Sequence, residues 1–442
     1  PALRAALAGG AEDRSREDAL AILRETLVPA LVEARRAAEQ IFRFLEAQLA
    51  GQSDNVIRLT DALVQGEAWT AGVGDALTNL SFTFGRLRDG IVTLIERLTR
   101  DTAPDDRLAQ LLAELRGIAG RLDAARDAVA TAIKPPAGAP PLVRWLERRG
   151  AAHVGVAAMP LELAPVLKAI LFDRVETIVV TSATLAVGGS FDFLTGRLGV
   201  DIPPVRPGPR EVLPSPFNFR DQCWFGIPDD LPEPRGDAEG HAGATVEVVC
   251  DVARAADGGL FVLFTSHRAL RAAATALRAR PDVAGRWPLL VQGEGPRDLL
   301  LRRFRQAGSA ILLGTDSFWE GVDVPGMALR ALVIAKLPFR PPTEPITAAR
   351  LEMIEAAGGD AFNDYLVPLA ALKLKQGFGR LIRSRTDVGA VVLLDRRVLG
   401  KRYGAALLAG LPPATRRSGP WSTLRGEMAE FFALHGIGEA EP

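Results

Sequence analysis

The chain is 442 residues long, room for roughly two to four domains of ordinary size. Its 53 basic and 53 acidic residues cancel, so the whole molecule presents no net field to a polyanion, and any basic surface must be local. Hydrophobic residues make up 48% and charged residues 24%, the balance of a chain with real cores, and no apolar run reaches the roughly 18 to 20 residues of a membrane span.

Residues 1 to 148 read as helices. Leu20, Leu23, Leu27 and Leu31 recur at three and four positions, which gives one apolar face. The stretches "LSFTFGRLRDGIVTLIERLTR" and "DDRLAQLLAELRGIAGRLDAARDAVATAI" repeat the pattern, and Asp105 and Asp106 after Pro104 predict a helix start. The Pro-rich run "KPPAGAPP" at 134–141 marks a break.

Beyond residue 150 short Val/Ile/Leu runs alternate with helical patterns. Strands are expected in 175–182, 259–266, 287–292, 309–315, 331–337 and 388–395. Unbroken apolar runs between helices point to parallel strands buried on both faces, so this part is α/β with its functional loops at the carboxyl ends of the strands. The stretch "DIPPVRPGPREVLPSPF", 201–217, reads as a linker. Cys223 and Cys250 cannot alone make a four-cysteine metal or iron–sulfur site, and are read as thiols of a reduced, intracellular chain. No signal peptide opens the chain, and Pro rather than Met is its first residue, so a fragment or a processed chain is in view.

The loops carry the chemistry. "TSATL", 181–185, offers the hydroxyls of Ser182 and Thr184 around Ala183, although a capped turn would also use them. "LFTSHR", 263–268, ends a strand with Thr265 and Ser266, natural phosphate or helix-cap groups; His267 is read as a loop residue rather than a catalytic base. "GTDSFWEGVDVPG", 314–326, sets Thr315, Asp316, Glu320 and Asp323 among Gly314, Gly321 and Gly326, with Phe318 and Trp319 between them. That composition makes a tight loop with exposed N–H groups and carboxylates rather than a core. "QGFGRLIRSR", 376–385, is expected to continue a helix over 366–385, which would put Gln376, Gly379, Arg380 and Arg383 on one face. Arginine forks bind phosphate oxygens in pairs, and interior glycines cost about 1 kcal/mol each relative to Ala, so Gly377 and Gly379 argue for a close approach to a polyanion. Arg385 falls off that face.

In this order, "TSATL", "LFTS", "GTDSFWEGVDVPG", "LPF" and "QGFGRLIRS" resemble motifs III to VI of the superfamily 2 helicases, and "FWEGVDVPG", "KLPFRPP" and "QGFGRLIRS" resemble the DinG/XPD-like branch. The resemblance covers about residues 142 to 435. It implies an α/β fold of RecA-like parallel-sheet domains and an all-α, arch-like helical insertion at the N-terminus. The implied division is 1–148 for the insertion, 149–210 for the remainder of a first RecA-like domain and 211–442 for the second. It implies ATP and Mg²⁺ in the cleft between two such domains, with Arg380 and Arg383 on the nucleotide phosphates and Gln376 aligning the attacking water or sensing the γ-phosphate. Glu320, Gly321, Asp323 and Gly379 would lie toward the nucleotide, Asp323 near the ribose. Ser182, Ala183 and Thr184 would couple hydrolysis to domain movement. Thr265, Ser266 and Thr315 would hold DNA phosphates, with Trp319 a stacking or packing residue.

The implied activity is ATP-driven translocation on single-stranded DNA and unwinding of forked or otherwise structured DNA, in repair or replication. The expected protein is cytoplasmic and monomeric, and its partners are DNA and the rest of its own first RecA-like domain. The family's remaining signatures are missing from these 442 residues. The sequence holds no G-x-x-x-x-G-K-[ST] phosphate loop, no DEAH-type carboxylates and no four-cysteine cluster, and no metal ligand is assigned. Because the missing pieces are contiguous in family order, the pattern suits a truncated chain, inactive alone, better than a decayed site. The alternative is a nucleic-acid-binding or regulatory module that does not hydrolyse ATP.

Overall fold

The computed structural model describes residues 13–50, 55–100, 106–150, 153–203, 208–319, 324 and 326–437. It divides into two units, Pro1–Glu162 with Thr343–Ala349, and Leu163–Pro342 with Arg350–Pro442. None of the described helices is long and apolar enough to cross a membrane.

In the first unit a helix from Asp13 runs through a π-type turn, Ile22–Leu27, into α1, Val28–Leu49. The long helices α2, Asp75–Arg100, and α3, Asp106–Ile133, follow. Buried residues at helical spacing, Ala30, Ala34, Ala37, Ile41 and Leu45 on α1, meet Leu80, Leu87, Ile91 and Leu94 of α2 in two adjoining apolar clusters. The helical expectation overlooks one feature. Residues 142–160 are not helical: β2, Leu142–Arg149, pairs antiparallel with β1, Val56–Arg58, on one side and with β3, His153–Pro160, on the other. Buried Arg144 fixes this sheet to the end of α3, donating to the Ile133 carbonyl at 3.1 Å and to Asp61 Oδ1 at 2.6 Å.

The second unit is built on a seven-stranded parallel sheet. Its strands are β4, Cys223–Pro228; β5, Leu260–Leu263; β6, Leu289–Val291; β7, Ile311–Gly314; β8, Ala331–Ile334; β9, Gly389–Leu393; and β10, Thr415–Gly419, in the order β10-β4-β9-β8-β5-β7-β6. Leu260 and Val262 of β5, with Ile311, Leu313, Ala331, Val333, Ala390 and Val392, face one core. The intervening Phe261, Leu263, Leu312, Leu332, Ile334, Val391 and Leu393 face the other. Period-two alternation between two apolar layers is why these runs read as unbroken hydrophobic stretches. Helices α4, Ala238–Ala255, and α5, His267–Arg278, cover the first face; α6, Arg297–Ala307, and α7, Val367–Phe378, cover the second. The last helix, α8, Trp421–Leu434, also packs on the first.

Five of the six expected strands are present. The sixth, 175–182, is not: the segment is open, with Val179 81% and Val180 48% exposed, and among the described residues no strand pairs with it. A parallel strand is stable only with ladder partners and covering layers, and neither is packed on this segment. Two strands escaped the pattern. β4 is fully buried but opens with Cys-Trp-Phe straight after a proline-rich stretch, and β10 is a polar edge strand, Thr-Arg-Arg-Ser-Gly.

At the amino ends of the strands, Arg330 is buried and gives every part of its fork to backbone carbonyls. Its Nε reaches Ala256 at 2.7 Å, Nη1 reaches Gly308 at 3.1 Å and Met327 at 2.8 Å, and Nη2 reaches Asp257. Burial lowers its pKa, while the bonds satisfy the charge. Replacing Arg330 with Ala strands four carbonyls and should lower unfolding free energy by about 3–5 kcal/mol, read from urea midpoints; Lys, with no planar fork, should recover only part. A cost below about 1 kcal/mol would contradict the tie.

Candidate functional site

The loops of interest open at the carboxyl ends of β5, β7, β8 and β9, four neighbouring strands. After β5, Phe264 and half-buried Thr265 lead to exposed Ser266, whose Oγ accepts the Ala269 N–H at 3.2 Å and caps α5. After β7, Thr315 is 2% exposed. Its N–H and hydroxyl both donate to Gln292 Oε1, at 2.6 and 3.1 Å, and His267 Nε2 lies 3.4 Å from the hydroxyl. Thr315 is thus held behind Gln292 and His267, and in this arrangement it offers nothing to a phosphate. Gln292, at the end of β6, was not singled out by sequence; its place in "LLVQGEG", just past a strand and before a glycine, is the signal that could have found it.

Trp319 joins three of the loops. It is fully buried, so it packs rather than stacks on a base. Its indole Nε1 donates to the Phe264 carbonyl at 3.3 Å, and the Lys373 ammonium lies 5.7 Å from its ring centroid. A Cβ built on Gly377 would stand 2.8 Å from this ring and 3.2 Å from Leu263. The close approach inferred for Gly377 is real, but the neighbour is an indole and not a polyanion. Gly314 answers to the same packing, since its Cβ would lie 2.7 Å from Phe318.

The shared helical face does not form. Helix α7 ends at Phe378, and Gly379 is its C-cap. Gln376 sits half-buried in the last helical turn, but Arg380 and Arg383 lie beyond it in a turn. Gly377 lies inside the helix against Trp319, and the chain leaves the helix at Gly379. Arg380 is instead positioned by a direct bond, its Nε donating to the Trp319 carbonyl at 3.1 Å. The turn around Arg383 is fixed by buried Asp387, whose Oδ2 accepts the N–H groups of Arg383 and Ser384, both at 2.8 Å. Gln222 donates to the carbonyls of Ser384 and Asp387, at 3.0 and 2.7 Å. These two polar residues, distant in sequence, were not legible as partners.

After β9, Asp395 is 0% exposed. It accepts the Leu337 N–H at 3.0 Å and a bidentate pair from Arg397 at 2.7 and 2.6 Å, which locks the ends of β8 and β9 together. Beside it the Lys336 ammonium is pushed down by burial and by the Arg397 charge. In the loop at 181–185, Ser182 and Thr184 bond only locally as described: Thr184 N–H to Ser182 Oγ at 3.3 Å, with the two hydroxyls 3.4 Å apart. Ala183 is exposed between them. Glu320, Gly321 and Asp323 lie outside the described residues.

Comparison with known proteins fits this arrangement. Residues 249–414 match the family model described as the helicase C-terminal domain. The chain is 38% identical over 264 residues to "ATP-dependent DNA helicase YoaA" of Escherichia coli, which covers 60% of this chain and 40% of that protein. It is 34% identical over 355 residues to "ATP-dependent DNA helicase DinG" of Photobacterium profundum, 78% of this chain and 50% of that one. The chain therefore spans half or less of the length of these relatives. Among solved structures, "XPD_APO" aligns with a TM-score of 0.51 at 13% identity, over 87% of this chain and 69% of that one, which is a likeness of fold.

The two motif glycines should respond differently to a methyl group. Gly377→Ala drives a Cβ into Trp319 and should lower stability by about 1–3 kcal/mol in urea unfolding. Gly379→Ala, where the nearest atom is the Lys375 carbonyl at 3.3 Å, should change it by less than about 0.5 kcal/mol. Equal losses at the two sites would contradict the indole contact.

Proposed function

We propose, on the premise that this chain belongs, through its C-terminal domain, to the DinG/XPD-like superfamily 2 helicases, that it supplies one half of an ATP site and part of a single-stranded DNA track. The observation that supports this most is the seat of Arg380. A cation that must meet developing phosphate charge needs a fixed direction, and the Trp319 carbonyl gives it one. Arg380 and Arg383 are read as the residues that stabilise the transferring phosphoryl group, Arg383 carried by the Asp387 turn. Gln376 orients the attacking water from the end of α7.

Glu320, Gly321, Asp323 and Gly379 are read as the nucleotide-side loop, and Ser182, Ala183 and Thr184 as the segment that couples hydrolysis to movement. Thr265 and Ser266 take DNA phosphates at the end of β5. Thr315 and Trp319 are moved from contact to support: they hold the surfaces on which Ser266 and Arg380 sit. Motion along the strand follows if ATP binding and release alternately tighten and relax the Trp319–Arg380 connection.

The described residues offer cations suited to phosphate. Among the described residues no grouping of three His, Cys, Asp or Glu could hold an ion. Mg²⁺ and the phosphate loop are assigned to the rest of the chain's own first RecA-like domain, which would also be the place of any iron–sulfur cluster. ATP would be held between the two halves with Arg380 and Arg383 on this side, where bound Mg²⁺ would supply neutralisation of phosphate charge. We place the protein in the cytoplasm, as a monomer on forked or single-stranded DNA, in repair or replication.

Two measurements test the reading. The 442-residue chain should bind a single-stranded oligonucleotide, with affinity falling linearly in log–log salt titration. Absence of binding at low salt overturns it. In a protein that unites this chain with a phosphate-loop domain, Arg380→Ala should reduce DNA-stimulated ATP turnover by about 10³-fold or more and leave DNA affinity within a few-fold. Unchanged turnover removes Arg380 from the role.

A further inference from the structure

Three aromatic rings meet where β8 and β9 release the chain. Phe339 and Phe362 are stacked, with centroids 5.5 Å apart and planes at 27°. Tyr403 stands edge-on to both, at 5.3 and 5.5 Å. Phe339 and Tyr403 pack against the second core cluster and are accounted for by it. Phe362 is not a member of that core and leaves 39% of its surface exposed. What sets this ring apart from other exposed apolar side chains is that two further rings back it.

The ring is not loosely held. Phe362 begins a π-type turn, Phe362–Leu366, and Asp360 fastens its start. Asp360 Oδ1 accepts the N–H groups of Phe362 at 3.1 Å and Asn363 at 3.0 Å; Oδ2 accepts Asn363 Nδ2 at 2.6 Å. The Asp360 N–H in turn donates to Asp364 Oδ2 at 2.9 Å. These bonds, with the Asn363 N–H foremost, hold the Asp360 carboxyl below its ordinary range, and the Arg402 charge adds to the effect. The backbone beneath Phe362 is thus set in advance.

The surroundings mix both charges: the Asp360 and Asp364 carboxylates sit at the start of the turn, Lys336 and Arg340 lie three residues before and one after Phe339 in the chain leaving β8, and exposed Arg402 precedes Tyr403. Because β8 is hydrogen-bonded to β5, this aromatic group opens at the same end of the sheet as Ser266. An exposed ring on a pre-set backbone, with Arg and Lys nearby in the chain, has the chemistry that holds unpaired bases: the ring takes a π-face while the cations take phosphates.

We propose that Phe362 is a stacking platform for a nucleobase of single-stranded DNA, backed by Phe339 and Tyr403, with Lys336, Arg340 and Arg402 on the adjoining phosphates. This subsite rests on the DNA-binding reading above and extends its track from the β5 loop to the β8 and β9 loops.

The test uses the 442-residue chain and a single-stranded oligonucleotide carrying 2-aminopurine, alongside an abasic oligonucleotide of equal length and charge. Phe362→Leu keeps apolar bulk and removes the π-face; Phe362→Trp keeps both. Leu should weaken binding of the base-bearing strand about tenfold and abolish quenching of the fluorescent base, while Trp should retain both. On the abasic strand all three proteins should bind alike. Equal binding of the base-bearing strand by wild type and Phe362→Leu overturns the platform alone, as does an equal loss on the abasic strand. A wild-type chain that binds neither strand overturns the DNA reading and the platform with it.

Discussion

The candidate site depends on the burial of one indole. Trp319 has no exposed surface, yet three loops take their positions from it: Phe264 through the indole N–H, α7 through Gly377, and Arg380 through the backbone carbonyl. Hydrogen bonds made inside a packed core are strong in proportion to the cost of leaving them unmade. A short shift of this residue therefore cannot be absorbed locally. It moves the end of α7 and the arginine turn together, so the loop after β5 and the segment after α7 share one packed element.

The sheet supports this by dividing its labour along the strand direction. At the amino ends Arg330 gathers four carbonyls into a single closed knot. At the carboxyl ends Asp395 and Arg397 close β8 against β9, while the remaining loops keep polar groups at or near the surface. Open parallel sheets place ligands outside their carboxyl ends, because loops there can vary without disturbing the ladders.

Much of this was legible in the chain. Apolar runs such as "LFVL", "ILLG" and "GAVVL" announce strands buried on both faces, since only that environment removes every polar position. The motif loops at their ends were likewise visible from clustered glycine, hydroxyl and charged residues. What escaped was set by tertiary packing. What Gly377 touches is set by the fold, and no local propensity reports that. The roles of Gln292, Gln222 and Asp387 arise from partners far away in sequence, as with Gln222 and Asp387, 165 positions apart. β10 was invisible because an edge strand needs no hydrophobic alternation.

The open segment at 175–182 has a consequence for handling the protein. Val175, Val179 and Val180 are exposed, and among the described residues no strand pairs with the segment, so it presents apolar surface that another chain can cover. A charged residue at Val179, 81% exposed, would reduce that apolar surface without touching the core.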